Sequence, residues 1–391
     1  VPPAVLHHAA LPHRGGAVRV ARLLAQAQLS AGRDARLCFE VAENDPEALA
    51  DTLANVPDGA TAIPLLGPTP PENLAAALET LPADALLHLH TSTDWPALLA
   101  ALPDALRGRV LVTLHDATAI TGGCAYPLDC PHQPVCAQAC PRGFPDARAR
   151  QSATAAHLAR LEARIVSPSG WLAGLARSAL PGQRIRVVPN GIPWPESLPE
   201  RARARALLGL EPNAPTALFA AHGGARAAYK SGADWPQYWE ALGGGLPGAR
   251  AFAAGGDEAY SRRGLTVWPY VDRAKLALVM RAADVLVYPA LADNHPLVLM
   301  EAASLELPAA SYAVGGVPEI VRHGETGLLA APGDREGFLA AARALLTDAS
   351  LRRRMGRAAR DSAGRRFRAE RMARDYEALY AVPNSAQSNS L

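Results

Sequence analysis

Lysine is nearly missing from this chain: Lys230 and Lys275 are the only two, so 37 of the 39 basic residues are arginine. Against such a drift toward Arg and Ala, a lysine kept in a loop is more informative than it would be elsewhere. Net charge is also lacking, since 39 basic against 37 acidic side chains leave +2, and no global field recruits nucleic acid. No window approaches a membrane-spanning run of uninterrupted apolar residues, because Asp or Glu breaks each candidate. The opening VPPAVLHH has no basic n-region and no apolar h-region, so no secretory signal is visible. It also lacks an initiator Met, and the expectation is that numbering begins on a processed or recombinant start. What remains, 49% hydrophobic and 19% charged over 391 residues, fits about two globular domains in the cytosol.

Short apolar runs alternate with amphipathic stretches almost from end to end. Strands are predicted at Ala4–Leu6, Ala35–Phe39, Ala85–Leu89, Val110–Leu114, Arg164–Val166 and Arg186–Val188. A second set follows at Thr216–Ala220, Arg250–Ala254, Leu265–Trp268, Asp284–Tyr288 and Ala309–Tyr312. Helical patterns lie between them at Val18–Ser30, Ala147–Leu161, Ala274–Ala282 and Asp334–Leu346, the last with Asp334 placed to cap its start. This alternation without clustered hairpin signals predicts parallel sheets covered on both faces. Pro189, Pro193, Pro195 and Pro199 interrupt any element between the two sets, so two doubly wound α/β domains are expected with a hinge there. The segment Leu351–Arg374 is rich in arginine, read first as a solvated helical face and second as a basic surface for anionic lipid head groups.

Glycine patterns need sorting. Gly243-Gly244-Gly245-Leu246-Pro247-Gly248 matches GxGxxG, but a helical pattern precedes it and a strand follows, the reverse of a dinucleotide fingerprint. That counts against an oxidoreductase. Gly15-Gly16, Gly223-Gly224 and Gly315-Gly316 instead follow strands and open helices, where backbone N–H groups can meet a phosphate. Arg226 and Lys230 stand beside the second of these, which points to a diphosphate. In LADNHPLVLMEAA, Pro296 is predicted as the first helical residue, with Asp293 and Asn294 in the turn before it. Glu301 lies inside an otherwise apolar run, where ligand hydroxyls or an arginine partner would satisfy it.

The spacing Asp293-x7-Glu301 resembles the acidic-x7-Glu motif of retaining glycosyltransferases of the GT-B fold, family 4. GGVPEIV at Gly315–Val321, HGETGLL at His323–Leu329, VPNGI at Val188–Ile192 and RAADVLVYPA at Arg281–Ala290 extend the likeness in order. Leu114–Cys130 is similar to the branch of that family that reads HDxxxxTGGC and carries a Cys-rich insert. The sequence departs from the family at Asp293, where Glu is usual, and at Ser304-Leu305-Glu306, where small-Cys-Gly is usual. Tyr229 stands where the branch commonly has a basic residue.

The resemblance implies two Rossmann-like domains facing across a cleft: an acceptor-side domain over 1–192 with the Cys-rich insert at 121–145, and a nucleotide-sugar domain over 193–360. A helix at 361–381 would return to the first domain, leaving a polar tail at 382–391. It implies transfer of a sugar, with retention and without a catalytic metal, from a nucleotide-sugar donor to a glycan or lipid-linked acceptor, in surface-polysaccharide or glycoconjugate synthesis. Glu301 would take the ribose hydroxyls and Asp293 the sugar hydroxyls. Backbone amides of Asn294, His295, Pro296, Leu297 and Val298 mark the phosphate-binding stretch (Pro296 itself has no N–H). Arg226 and Lys230 would neutralise the leaving diphosphate, His115 would line the sugar pocket, and Gly15 and Gly16 would lie near phosphates or acceptor. A cytoplasmic place, at the inner face of the membrane if the basic segment touches lipid, goes with this reading. A nucleotide-sugar epimerase or phosphorylase of the same fold, or a non-catalytic binding module, are the alternatives.

Four of the five cysteines crowd together as Cys124-x5-Cys130-x5-Cys136-x3-Cys140. A structural zinc on these four is the leading expectation, with two disulfides or reduced thiols as alternatives. Cys38 is expected as a core thiol, and His7, His8 and His13 as packing or surface residues.

Overall fold

The computed structural model describes residues 2–10, 15–41, 61–66, 74, 78, 81–221, 228–243, 246–256, 258–269 and 271–381, with backbone alone at 41, 61–66 and 228. The chain divides into two compact units, Val1–Gly191 with Ala369–Leu391, and Ile192–Arg368. The expected boundary at 360 falls inside one continuous helix, Ala349–Arg366, which belongs to the second unit. The last helix, Ala369–Ala381, belongs to the first. The tail 382–391 lies outside the described residues.

The first unit is built on β1 (Val5–Ala9), β2 (Ala35–Val41), β3 (Thr61–Leu66), β4 (Leu86–Leu89), β5 (Val110–Thr113), β6 (Arg164–Ser167) and β7 (Ile185–Val187). They form one parallel sheet in the order β3-β2-β1-β4-β5-β6-β7. Side chains alternate between faces along a strand. Accordingly, Leu6 and Cys38 join a core with Leu87, Leu98, Val112 and Leu172, while Ala9, Leu37 and Phe39 pack on Val18, Ala21 and Ala25 of the helix Gly16–Ser30. Burial pushes the Cys38 thiol up, and it is a core thiol.

The second unit carries β8 (Thr216–Ala220), β9 (Arg250–Ala254), β10 (Tyr260–Arg262), β11 (Leu265–Trp268), β12 (Val285–Tyr288), β13 (Ala309–Tyr312) and β14 (Gly327–Ala330), in the order β10-β11-β9-β8-β12-β13-β14. Pairing is parallel except between β10 and β11. Three strands have no counterpart in the sequence reading: β3, β10 and β14. All three are sheet edges: β10 is exposed throughout, β14 is only four residues long, and β3 contains Pro64, which an edge tolerates. Asp334 caps the helix Arg335–Thr347, accepting from Gly337 N at 2.9 Å.

Much of the arginine-rich segment is internal glue. Arg352 pairs with buried Asp284 at 2.9 Å, Arg360 donates to the carbonyls of Ser304 and Pro195, and Arg371 donates to the Pro189 carbonyl at 2.6 Å. Arg353, Arg354, Arg357 and Arg365 remain exposed. Among the described residues, no helix is long and apolar enough to cross a membrane.

Candidate active site

In an open α/β sheet, ligands bind beyond the carboxyl ends of the strands where the strand order reverses. That point lies between β1 and β4 in the first sheet and between β8 and β12 in the second. Lys230 and Asp293 lie on the loops after β8 and β12, and Gly15 lies in the loop after β1.

In the second unit, Lys230 ends a one-turn helix, Ala228–Lys230, on the loop after β8, and Asp293 lies on the loop after β12. Lys230 Nζ stands 3.0 Å from Asp293 Oδ2, with the two side chains 19% and 8% exposed. The Tyr288 hydroxyl donates to the same oxygen at 2.5 Å. The backbone ties the loops together, because Leu291 N donates to the Tyr229 carbonyl at 2.7 Å and Gly316 N to the Asp293 carbonyl at 3.0 Å. Gly315 permits that approach: its φ is 55°, and a Cβ there would stand 2.0 Å from the Asp293 carbonyl oxygen. Burial alone would lower the Lys230 pKa, but the charge and hydrogen bond of Asp293 outweigh it and hold the ammonium above its usual range.

The helix after Asp293 runs Leu297–Ser304. Pro296 is not its first residue; it is the cap, with φ −66° and ψ 119°. That one-residue shift reflects the extended backbone of Pro296. Asn294, His295 and Leu297 are buried, while Val298 and Glu301 are half-buried in the first and second turns. His295 packs edge-on against Phe367 with ring centres 5.3 Å apart. Arg226 lies outside the described residues.

In the first unit, Gly15 (φ 110°) precedes the helix that opens at Gly16, and among the described residues nothing lies within 4 Å of where a Cβ on Gly15 would sit. His115 follows β5 and is half-buried, its Nε2 3.0 Å from His90 Nδ1, and burial pushes its pKa down to about 3. Burial raises the pKa of neighbouring Asp116, although Thr118 donates to it through N at 2.8 Å and Oγ1 at 2.6 Å.

Cys124, Cys130, Cys136 and Cys140 are all free thiols, so the disulfide alternative is not realised. They line one cavity together with His132 and Leu175. Cys124 Sγ donates to the Tyr126 carbonyl at 3.2 Å, and Gly122 N donates to Cys136 Sγ at 3.4 Å. Among the described residues, no three of these sulfurs lie within 4.8 Å of one another.

Sequence reasoning missed Tyr288, and it missed that His7, His88, His90 and His115 adjoin. The i, i+2 spacing of His88 and His90, which sets both on one side of a strand, was the available signal. His13 lies outside the described residues.

Two family models match, Glycosyltransferase Family 4 over residues 14–193 and Glycosyl transferases group 1 over residues 259–362. Anabaena HepE, solved in complex with UDP-glucose, superposes with a TM-score of 0.72 at 16% identity over 97% of this chain and 100% of that one. The chain is a GT-B-fold relative of family 4 glycosyltransferases. Among curated relatives, N-acetyl-alpha-D-glucosaminyl L-malate synthase of Bacillus anthracis is 36% identical over 105 residues, 27% of this chain and 28% of that protein. D-inositol 3-phosphate glycosyltransferase of Segniliparus rotundus is 32% identical over 198 residues, 47% of this chain and 44% of that protein. The GT-B chain thus spans less than half the length of either relative. Its departure at Ser304-Leu305-Glu306 leaves the Lys230–Asp293–Tyr288 arrangement intact: Glu306 turns the chain with φ 58° and reaches Arg281 Nη1 at 3.4 Å.

Proposed function

We propose that this chain is a retaining glycosyltransferase that moves a sugar from a nucleotide-sugar donor to a glycan or lipid-linked acceptor in glycoconjugate synthesis. The observation that carries the reading is the Lys230–Asp293 pair, built on the two loops that flank the switch point of the second sheet and followed directly by a helix start. A fixed ammonium and the amides at 294–298 suit a diphosphate whose negative charge grows as the glycosidic bond stretches. Asp293, oriented by Tyr288, would then take the sugar hydroxyls, Glu301 the ribose, and Arg226 with Lys230 the phosphates. In the first unit, neutral His115 and the backbone at Gly15 and Gly16 would supply hydrogen-bonding without charge, which suits a sugar and its acceptor. The chemistry needs no catalytic metal, because fixed cations meet the leaving group. The HDxxxxTGGC stretch and its cysteines mark the branch, and the exposed arginines of Ala349–Arg366 would meet anionic head groups at the cytoplasmic face of a membrane.

The deciding experiment incubates the protein with UDP-, GDP-, ADP- and CMP-sugars, beginning with UDP-glucose because HepE is solved with it. Selective thermal stabilisation and slow release of free nucleotide by one donor support the enzyme. Conversion of the sugar without nucleotide release would replace it with an epimerase, and binding of no donor would leave a non-catalytic module. For the cysteines we propose one structural zinc. The thiolate donor set suits zinc, although the sulfurs must draw closer for a tetrahedral site. Metal analysis near one zinc per chain, falling on Cys136→Ser, supports this; a metal-free, fully stable protein refutes it.

A further inference from the structure

Behind His115 the first unit holds buried histidines that the proposed function does not use. His90 Nδ1 lies 3.0 Å from His115 Nε2, His90 Nε2 lies 3.1 Å from His7 Nδ1, and His7 Nε2 lies 2.8 Å from Gln28 Oε1. Parallel pairing of β1 with β4 sets His7 opposite His88, so residues remote in sequence meet on one face of the sheet. His88 lies beside the chain, its ring tilted against that of His90 with centres 4.0 Å apart. The last helix braces it: Tyr380 OH lies 2.7 Å from His88 Nδ1, Thr113 Oγ1 lies 2.8 Å from His88 Nε2, and Tyr376 OH lies 2.9 Å from Thr113 Oγ1.

Two readings compete. His7, His88 and His90 each bring a ring nitrogen within 4.8 Å of the others, as a metal would require. Yet all six of their ring nitrogens already have hydrogen-bond partners, and the three residues are at most 1% exposed. A metal would have to dismantle the chain to enter. The hydrogen-bonded reading is complete as it stands. Burial keeps the rings uncharged, pushing His7 down to about 4 and holding His88 and His90 well below their ordinary value.

A neutral imidazole has one N–H, and that fixes the direction of the whole chain. The Gln28 oxygen only accepts, so His7 donates to it from Nε2 and is bare at Nδ1. His90 must then donate from Nε2 to His7, and His115 from Nε2 to the bare Nδ1 of His90. We propose that Gln28, His7 and His90 are positioning residues that lock His115 as the neutral Nε2–H tautomer in one ring orientation. Its Nδ1 is unprotonated, so a group it meets there must donate, as a sugar hydroxyl can. That last consequence rests on the reading of His115 as a sugar contact; the tautomer itself does not.

The test is long-range nitrogen–proton NMR of the full chain labelled with nitrogen-15 histidine, with His115 assigned through His115→Gln. The expected spectrum shows His7, His90 and His115 as static Nε2–H tautomers that do not titrate between about pH 5.5 and 8. Gln28→Leu removes the terminal acceptor and should mix the tautomers of His115; Gln28→Glu keeps an acceptor oxygen and should restore a single one. An Nδ1–H tautomer at His115 in the unsubstituted protein would overturn the proposal even if no variant folds. So would a His115 pattern unmoved by Gln28→Leu, or replacement of the histidine signals on adding zinc, which would make the cluster a metal site. Failure of the sugar reading is separate: unaltered sugar transfer by His115→Ala would remove that role while leaving the tautomer result standing.

Discussion

The two sheets differ in strand order, but each reverses at one switch point, and they bring opposite chemistries to those two places. At the β1/β4 switch point the first unit gathers histidines that burial holds neutral. At the β8/β12 switch point the second unit holds an ammonium–carboxylate pair, with the ammonium stabilised in its charged form. Where a buried group has a counter-charge it stays ionised; where its neighbours are other imidazoles, desolvation wins and the charge is lost. The comparison teaches that the fold supplies the location, and the side chains at the strand ends set its electrostatic character; on the proposed reading the second arrangement would suit a diphosphate and the first a neutral sugar.

The largest effect expected is at Lys230. A fixed cation favours a transition state with growing negative charge more than the ground state, so Lys230→Ala should lower turnover by roughly a hundredfold or more, by analogy with loss of one oxyanion donor. Donor binding should fall less. Steady-state kinetics on the true donor decide it, and near-unchanged turnover would strip the second unit of its charge-based role.

Next in size is an acid sensitivity confined to the first unit. His7 and His115 titrate in the folded chain near 4 and 3, below their ordinary 6.5. Between those values the unfolded chain binds protons that the folded chain does not. Stability is therefore full above about pH 6.5 and is lost as pH falls toward the folded values; at ~1.4 kcal/mol per pH unit, His7 alone accounts for roughly 3 kcal/mol by pH 4. The Lys230 ammonium, with its pKa raised, stays charged throughout that range and contributes no such slope. Denaturant midpoints measured from pH 8 to pH 4 check this. A flat profile would show that the histidines carry charge in the folded state, and the contrast between the units would collapse.

How much of this could be read without coordinates differs between the two halves for the same reason. The second unit's site is local in sequence: Asp293, the helix start and Glu301 occupy one short stretch, and Lys230 stood out by its rarity. Its pairing with Asp293 was not legible, because it depends on β8 and β12 being neighbours. The first unit's site is almost wholly non-local. His7, His90 and His115 come from three different parts of the chain; His115 stood out only through its resemblance to the family, and His7 alone looks like a packing histidine. The strands buried on both faces were legible from their apolar runs, whereas the edges β3, β10 and β14 were not. The cysteine cluster was legible as a composition and not as a geometry, since spacing along a loop does not set distances between sulfurs.

A smaller effect is expected at Glu301. A half-buried carboxylate one turn into the helix suits ribose hydroxyls, and Glu301→Gln keeps the size while weakening hydrogen bonds to a charged acceptor. Donor KM should rise about tenfold, equivalent to ~1.4 kcal/mol, with turnover changing little. A fall in turnover at constant KM would mean that Glu301 acts on the chemical step, and binding and chemistry would not be divided as the comparison has them.

The smallest effect asks whether every charge in the second unit belongs to its site. Glu306 occupies φ 58°, a conformation that costs a side-chain-bearing residue roughly 1 kcal/mol relative to glycine. Its carboxylate recovers part of that through Arg281 Nη1 at 3.4 Å, a partly exposed contact that contributes only a few tenths of a kcal/mol. Glycine also frees the unfolded chain, which offsets some of the relief. Glu306→Gly should therefore shift stability by less than about 1 kcal/mol, on the stabilising side, and leave donor KM unchanged. Chemical denaturation and a single donor titration suffice. A clear loss of stability would show that the Arg281 contact outweighs backbone strain, and a changed KM would draw Glu306 into the charged site from which its geometry now separates it.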